Sequence, residues 1–360
     1  MSDFHIPPSA IKGRGSASRT PHRFERDDRA TFDDGWPGDD EPEQSIAPAT
    51  TVRWEDAKSV ITRNDSPDIH FDYSINPYRG CEHGCVYCYA RPTHSYLGLS
   101  PGLDFETVLI AKRNLVEVLG TELAKPGYVP KLLNIGSATD CYQPVERQFK
   151  LTRGVLALMQ ETRHAFSLVT KSSGVERDLD ILAPMAALKL AAVYITITSL
   201  DSDLTRLLEP RAASPQRRLR TIRALAQAGV PVGVSVAPQI PFINDDMEQV
   251  LAAARDAGAT SAFYTVLRLP WELNDVFQGW LGLHYPQRAD RVMARIREMR
   301  GGKNYDSNFA TRMKGSGLWA DLIAQRFQKA CARLGLNRVR HELDLTQFRP
   351  AAVLGQGHLF

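Results

Sequence analysis

Cysteine is scarce in this chain, with five residues in 360. Three of the five crowd into one loop, so the disulfide framework of a small secreted domain is excluded. Clustered free thiols point instead to a reducing compartment, and the expected location is cytoplasmic. No apolar run near the N-terminus has the length of a signal peptide, and no stretch could span a bilayer, so no membrane role is expected. An excess of one charge is also missing, because a formal net charge of +3 is too small to argue for nucleic acid by itself. Internal repeats are absent, and no second CxxC exists to complete a paired zinc half-site.

What is present is a hydrophobic fraction of 43%, enough to bury a real core. Residues 1–50 are poor in aliphatic side chains and read as a disordered tail, with a basic stretch from Lys12 to Arg23 followed by an acidic one from Asp33 to Glu43. Residues 51–270 alternate apolar runs with helix-period segments. Strands are expected at 131–135, 165–170, 191–198, 231–236 and 261–267, with a further one ending at Tyr73-Ser74-Ile75. Helices are expected at 145–162, 176–185, 215–228 and 245–257. Ser214 is an N-cap, Pro215 the first helical position and Gly229 a stop. This rhythm implies an α/β fold with a parallel sheet and outer helices. Six units are too few for a closed eight-unit barrel. Residues 271–350 read as a basic helical appendage, with helices at 286–300 and 318–334, that covers the open barrel mouth. Residues 351–360 read as a flexible tail.

The most informative segment is Asn76-Pro77-Tyr78-Arg79-Gly80-Cys81-Glu82-His83-Gly84-Cys85-Val86-Tyr87-Cys88-Tyr89-Ala90. Three close thiolates hold three irons of a 4Fe–4S cube and leave the fourth iron open to a small molecule. Gly80 and Gly84 allow tight wrapping and aim amides at the cube. The CxxxCxxC spacing, with aromatic Tyr87 before the last cysteine, resembles the cluster loop of radical S-adenosylmethionine (radical SAM) enzymes. The alternative is a zinc site built from Cys81, Cys85, Cys88 and either His83 or Cys141.

Other chemistry is expected at the carboxyl ends of the strands, where apolar runs stop at polar residues. Lys171 is a candidate donor to the SAM carboxylate. Ser199 is a candidate for that carboxylate or a ribose hydroxyl, and Asp140 for the SAM amine or a ribose. The competing reading of each is a strand-end residue that caps the next helix. Arg211 could reach a carboxylate, or join a salt bridge within its loop. Cys141 is the candidate hydrogen-atom donor, against a reading as a small buried hydrophobe. Packing accounts for Cys331.

The cluster loop, Ala138-Thr139-Asp140-Cys141-Tyr142-Gln143-Pro144-Val145-Glu146, Leu168-Val169-Thr170-Lys171-Ser172 and Glu209-Pro210-Arg211 together resemble the spore photoproduct lyase-like, or DNA repair photolyase-like, branch of radical SAM proteins. That resemblance covers roughly residues 50 to 350. It implies a partial six-unit (β/α) barrel, a 4Fe–4S cluster on Cys81, Cys85 and Cys88, and SAM as co-substrate, for which Tyr87, Asp140, Lys171 and Ser199 are the candidate contacts. It further implies reductive cleavage of SAM to a 5′-deoxyadenosyl radical, with an electron from a flavodoxin- or ferredoxin-like donor. The lyase draws its returning hydrogen from a cysteine just before the turn after the second strand. Ser137 or Ala138 stands there, and Cys141 falls after Asp140. A nucleic acid lesion or modification site is the first expectation for the substrate. A small-molecule or protein substrate is the alternative within the superfamily, and a non-enzymatic zinc protein the alternative outside it. Arg291, Arg295 and Arg300 are the expected phosphate contacts. The terminal Gln356-Gly357-His358-Leu359-Phe360 is similar to peptides that bind a bacterial sliding clamp, against a tail folded so that Phe360 covers the barrel.

Overall fold

The computed structural model of the chain describes residues 10–25, 48–339 and 342–350. Six parallel strands build the main sheet: β1 (Tyr73–Ile75), β2 (Leu133–Ile135), β3 (Phe166–Thr170), β4 (Ala191–Thr196), β5 (Val232–Ser235) and β6 (Ser261–Phe263). Their spatial order is their chain order, and a two-residue strand, Thr62–Arg63, pairs antiparallel with the outer edge of β1. Among the described residues β1 and β6 do not pair, so the barrel is open, as six units require. Every strand end therefore points to one mouth.

Helices return the chain between strands: α1 (Leu151–Thr162), α2 (Leu179–Ala187), α3 (Pro215–Gln227) and α4 (Met247–Asp256). Phe166, Leu168 and Thr170 of β3 are buried, while Ser167 and Val169 between them are half-buried. In β4 five of six residues are buried, as in a strand covered on both faces. Ser214 caps α3 by accepting from Arg217 N at 3.3 Å, with Pro215 at the first helical position.

The helix expected at 145–162 is interrupted, because Lys150 is left-handed with φ 52°. Glu146, before the break, accepts from Thr152 N at 3.1 Å and so caps α1 from the preceding turn. The helix expected at 176–185 begins as a 3-10 turn, Ser173–Asp178, and continues as α2.

Three further departures bear on the site. Residues 10–25, expected within a disordered tail, are packed: Arg14 and Ser16 are buried against Glu106, behind the cluster loop. The C-terminal region holds three helices, α5 (Leu273–His284), α6 (Ala289–Glu298) and α7 (Leu318–Leu334). They pack in two different places. α5 and α6 share a second core with Val86 and Tyr87 of the cluster loop. α7 contributes Ala320, Ile323, Phe327 and Ala330 to the main core, and Arg326 pairs with Glu248 of α4 at 2.6 Å. The expected phosphate contacts also have other partners. Arg300 is buried and donates to the carbonyls of Thr311, Arg312 and Leu267. Arg291 lies 3.9 Å from the Phe242 ring centroid, and Arg295 stacks on Trp319 and pairs with Glu298. Residues 351–360, with the clamp-like peptide, lie outside the described residues.

Candidate metal cluster and cofactor site

The cysteine loop leaves the end of β1 and is held from all sides. Gly80 (φ +78°) and Gly84 (φ +66°) make its turns in backbone conformations that suit glycine. A Cβ on Gly80 would lie 2.9 Å from Phe105 O, and one on Gly84 would lie 2.6 Å from Glu106 Oε2. Arg91, fully buried, donates to Cys85 O at 2.8 Å, Gly84 O at 2.9 Å and Gly102 O at 2.7 Å, and pairs with Glu106 at 2.5 Å. Gln143 accepts from Glu82 N at 2.8 Å and donates to Gly80 O at 3.1 Å. Arg211 pairs with Glu82 at 3.1 Å and donates its backbone N–H to His83 O. Behind the loop, Gly15 N and Ser16 N each donate to Glu106 at 2.9 Å. The backbones touch there, since a Cβ on Gly15 would lie 1.8 Å from Gly84 O.

Cys81 and Cys85 are buried and Cys88 is half-buried. The thiols are close enough that charge on one opposes charge on the others. Burial pushes Cys85 up to about 12 against the pull of Lys171, and pushes Cys81 well up with help from Asp140. Ligation therefore requires metal binding to displace protons from these thiols. Among the described residues no three His, Cys, Asp or Glu side chains converge as a shell for one metal ion. A tetrahedral zinc needs its sulfurs about 2.3 Å from a single centre. Three thiols presented by one short clamped loop match the three protein ligands of a cube with one open iron.

The strand-end candidates separate by what their polar atoms already hold. Tyr87 hydrogen-bonds Glu209 and Thr198 through its hydroxyl, with the Lys171 amine 5.7 Å from its ring centroid. Glu209 is buried and paired with fully buried Arg218; burial raises its pKa, but Arg218 and Lys171 outweigh that and hold it low. Asp140 accepts from Thr170 Oγ1 at 2.7 Å, Lys171 N at 2.7 Å and Tyr142 N at 2.9 Å, and faces His83 Nδ1 at 3.2 Å. Burial opposes its ionisation, yet His83 and these bonds hold it far below the usual carboxylate range. Three hydrogen bonds and the neighbouring His83 make Asp140 a staple between three loops. Ser199 donates to Asp246 Oδ2 at 2.9 Å and accepts from Asp201 N at 3.0 Å, so its hydroxyl also belongs to a loop. Lys171 differs. Burial pulls its pKa down, but Cys85, Glu209 and Asp140 together raise it, so the amine stays charged without a salt-bridge partner among the described residues.

Cys141, the candidate hydrogen donor, is a buried thiol. It is fully buried in the main core with Leu156 and Met159 of α1, and its Sγ would lie 3.0 Å from a Cβ on Gly136. Its carbonyl accepts from Thr152 Oγ1 at 2.6 Å. Burial and Asp140 push its thiol well up, as expected of a packing residue.

Sequence reasoning missed Arg91, Glu106 and the Arg14-Gly15-Ser16 segment. Their signal was weak: an arginine three residues past Cys88, and one glycine in a polar tail. The Gln143 clasp lay inside a quoted motif but had no assigned role.

A parallel open barrel with a three-thiol loop at the end of its first strand defines a class, and the comparisons agree. The Radical SAM superfamily profile matches residues 75–254, half of the 360-residue chain, and the chain belongs to that superfamily. It is 35% identical over 224 residues to an uncharacterized protein of Mycobacterium tuberculosis (strain ATCC 25618 / H37Rv); the match covers 61% of this chain and 66% of the relative, just under two thirds. An uncharacterized protein of Methanocaldococcus jannaschii is 27% identical over 220 residues, covering 61% of this chain and 79% of the relative. Among solved structures, a tyrosine-to-phenylalanine variant of spore photoproduct lyase superposes with a TM-score of 0.52 at 16% identity, covering 79% of this chain and 78% of that one. The same lyase complexed with dinucleoside spore photoproduct gives 0.50 at 17% identity, with the same coverage. The fold is therefore that of spore photoproduct lyase. Among the described residues no helix is long and apolar enough to cross a membrane.

Proposed function

We propose that the chain is a radical SAM enzyme in which Cys81, Cys85 and Cys88 hold a 4Fe–4S cluster and Lys171 binds the carboxylate of SAM. The observation that carries this reading is a clamped loop of three thiols beside one charged amine with no salt-bridge partner. A cluster held there would supply the one electron for reductive cleavage of SAM, and so the radical chemistry that removes a hydrogen atom from a substrate. The chain's own residues do the rest. Arg91, Gln143 and the Arg14-Gly15-Ser16 segment fix the loop. Lys171 orients an anion over the Tyr87 ring, and Val86 with α5 and α6 keeps water from the inner face of the loop. The electron comes from a flavodoxin- or ferredoxin-like protein, and half-buried Cys88 marks the more open side of the loop.

For the substrate, a nucleic acid lesion or modification site is favoured over a small molecule or protein. Support comes from Arg268 beside the exposed ring of Tyr89, next to the last cysteine of the cluster loop, a cation-and-aromatic pair of the kind that holds a nucleotide. The lyase of this fold has been captured with a dinucleoside photoproduct. Anaerobic incubation of reconstituted protein with SAM, reductant and either ultraviolet-damaged or intact DNA tests both levels. SAM consumption with new products only from damaged DNA is expected. SAM consumption that no nucleic acid alters would turn the assignment to the small-molecule or protein alternative.

A further inference from the structure

Arg268 stands after β6, at the last of the strand ends, and is half-buried. Its guanidinium lies 5.2 Å from the ring centroid of Tyr89, the residue that follows Cys88. The Tyr89 hydroxyl hydrogen-bonds Ser137 O, which fixes that ring against the end of β2. Arg268 has unusually little to hold. Its NH1 donates to the thioether of Met313 at 3.4 Å, and its buried Nε has no partner among the described residues. The nearby carboxylate, Asp68, is taken by Arg312 through two bonds of 2.6 Å. Arg300, which Arg268 also repels, is tied to three carbonyls, with Asp306 as its nearby negative charge. A guanidinium fork that is partly desolvated, braced on an aromatic ring and lacking a carboxylate has a strong deficit of acceptors.

We propose that Arg268 is a specificity residue that grips an oxyanion of the substrate, a phosphate or a carboxylate, against the face of Tyr89. The site differs from the one assigned to SAM. Lys171 serves the co-substrate at the end of β3, and Arg268 serves the substrate at the end of β6, with Tyr89 between the two cations. An oxyanion here fixes the substrate beside the third cysteine of the loop. A neutral analogue lacks the group that satisfies the guanidinium, so it is rejected.

This inference rests on the radical SAM reading, and the two can fail separately. Binding of thymidylyl-thymidine, its uncharged methylphosphonate analogue, inorganic phosphate and acetate is measured calorimetrically on the cluster-loaded protein, for wild type, Arg268→Gln and Arg268→Lys. The dinucleotide is expected to bind wild type about tenfold or more tightly than Arg268→Gln, in line with loss of a charged hydrogen-bonded pair, with Arg268→Lys between them. The methylphosphonate should bind both proteins equally weakly. Tighter binding of phosphate than acetate identifies a phosphate substrate, and the reverse a carboxylate; in either case Arg268→Gln must lose the preference. Circular dichroism melts confirm that the variants fold, and Arg268→Lys carries the test if Arg268→Gln does not. Equal binding of all probes by wild type and variants, or no binding to wild type, overturns the proposal. SAM cleavage by the wild type without substrate is followed in parallel. Its absence sinks the radical SAM reading, whereas cleavage with probe binding indifferent to position 268 sinks the Arg268 assignment alone.

Discussion

Lys171 keeps a charged nitrogen available where Tyr87, Asp140 and Ser199 have their polar atoms engaged by neighbours. All four stand at strand ends, and the sequence could not rank them, because the partners that occupy three of them come from distant loops. Lys171→Met should leave iron content unchanged and weaken SAM binding about tenfold or more, the scale of one charge-assisted pair; equilibrium dialysis of the loaded protein checks it. Cys141→Ala should cost on the order of 1 to 2 kcal/mol in urea unfolding and leave the product distribution unaltered, because its thiol fills core beside Leu156. Abnormal products from that variant would return it to the role of hydrogen donor.

His164 supplies a titration that has nothing to do with the cluster. Its Nε2 is 2.8 Å from Tyr128 Oη and its Nδ1 is 2.9 Å from Ala165 O, and Phe348 packs on the ring edge-on. Burial lowers its pKa from 6.5 to about 4. Above pH 6.5 the imidazole is neutral in both the folded and unfolded chain. As pH falls, the unfolded chain takes the proton first, so stability declines between pH 6.5 and about 4. The full loss is about 3 kcal/mol at 1.36 kcal/mol per unit. Melts at several pH values should show this slope in wild type and a flatter one in His164→Gln.

At the scale of elements, the strands were readable because parallel strands covered on both faces are nearly continuous apolar runs. Ala191–Thr196 is the clearest case. α3 was readable from Ser214, Pro215 and Gly229, which act locally. α5 was missed although Leu273, Val276, Phe277, Trp280 and Leu281 follow helical spacing, since Gly279 and Gly282 weaken the signal. The packed segment at 10–25 was missed for a different reason. Its order comes from long-range contacts to Glu106, Asp104 and Glu272, which no local pattern announces. Gly15 is its tightest point. Gly15→Ala should displace the segment from Gly84, lower stability by about 1 to 3 kcal/mol, and speed the loss of iron in air. Iron release after oxygen exposure, wild type against variant, is the measurement. Equal release rates would mean that the segment does not shield the loop.

At the scale of the whole molecule, the C-terminal helices are part of the site. Phe277, Trp280 and Ile296 share a core with Val86 and Tyr87, so a chain ended after residue 270 would expose the inner face of the cluster loop. Such a truncation should aggregate or fail to hold iron, as judged by gel filtration and iron analysis. The basic composition of this region misled sequence reasoning, because arginines that read as a phosphate-binding face stack on Phe242 and Trp319 or bond carbonyls. The guanidinium without a carboxylate partner is instead Arg268, a strand-end residue to which sequence reasoning assigned no role.

The central claim is that three thiols on one clamped loop hold a 4Fe–4S cube that opens onto SAM. It is tested most directly by iron and sulfide analysis of anaerobically reconstituted wild type and Cys88→Ala, with SAM cleavage assayed on the same samples. Wild type should be brown, carry about four irons and four sulfides per chain, and release 5′-deoxyadenosine on reduction, while Cys88→Ala should release none. A folded, colourless protein with one zinc per chain and no SAM cleavage would contradict it.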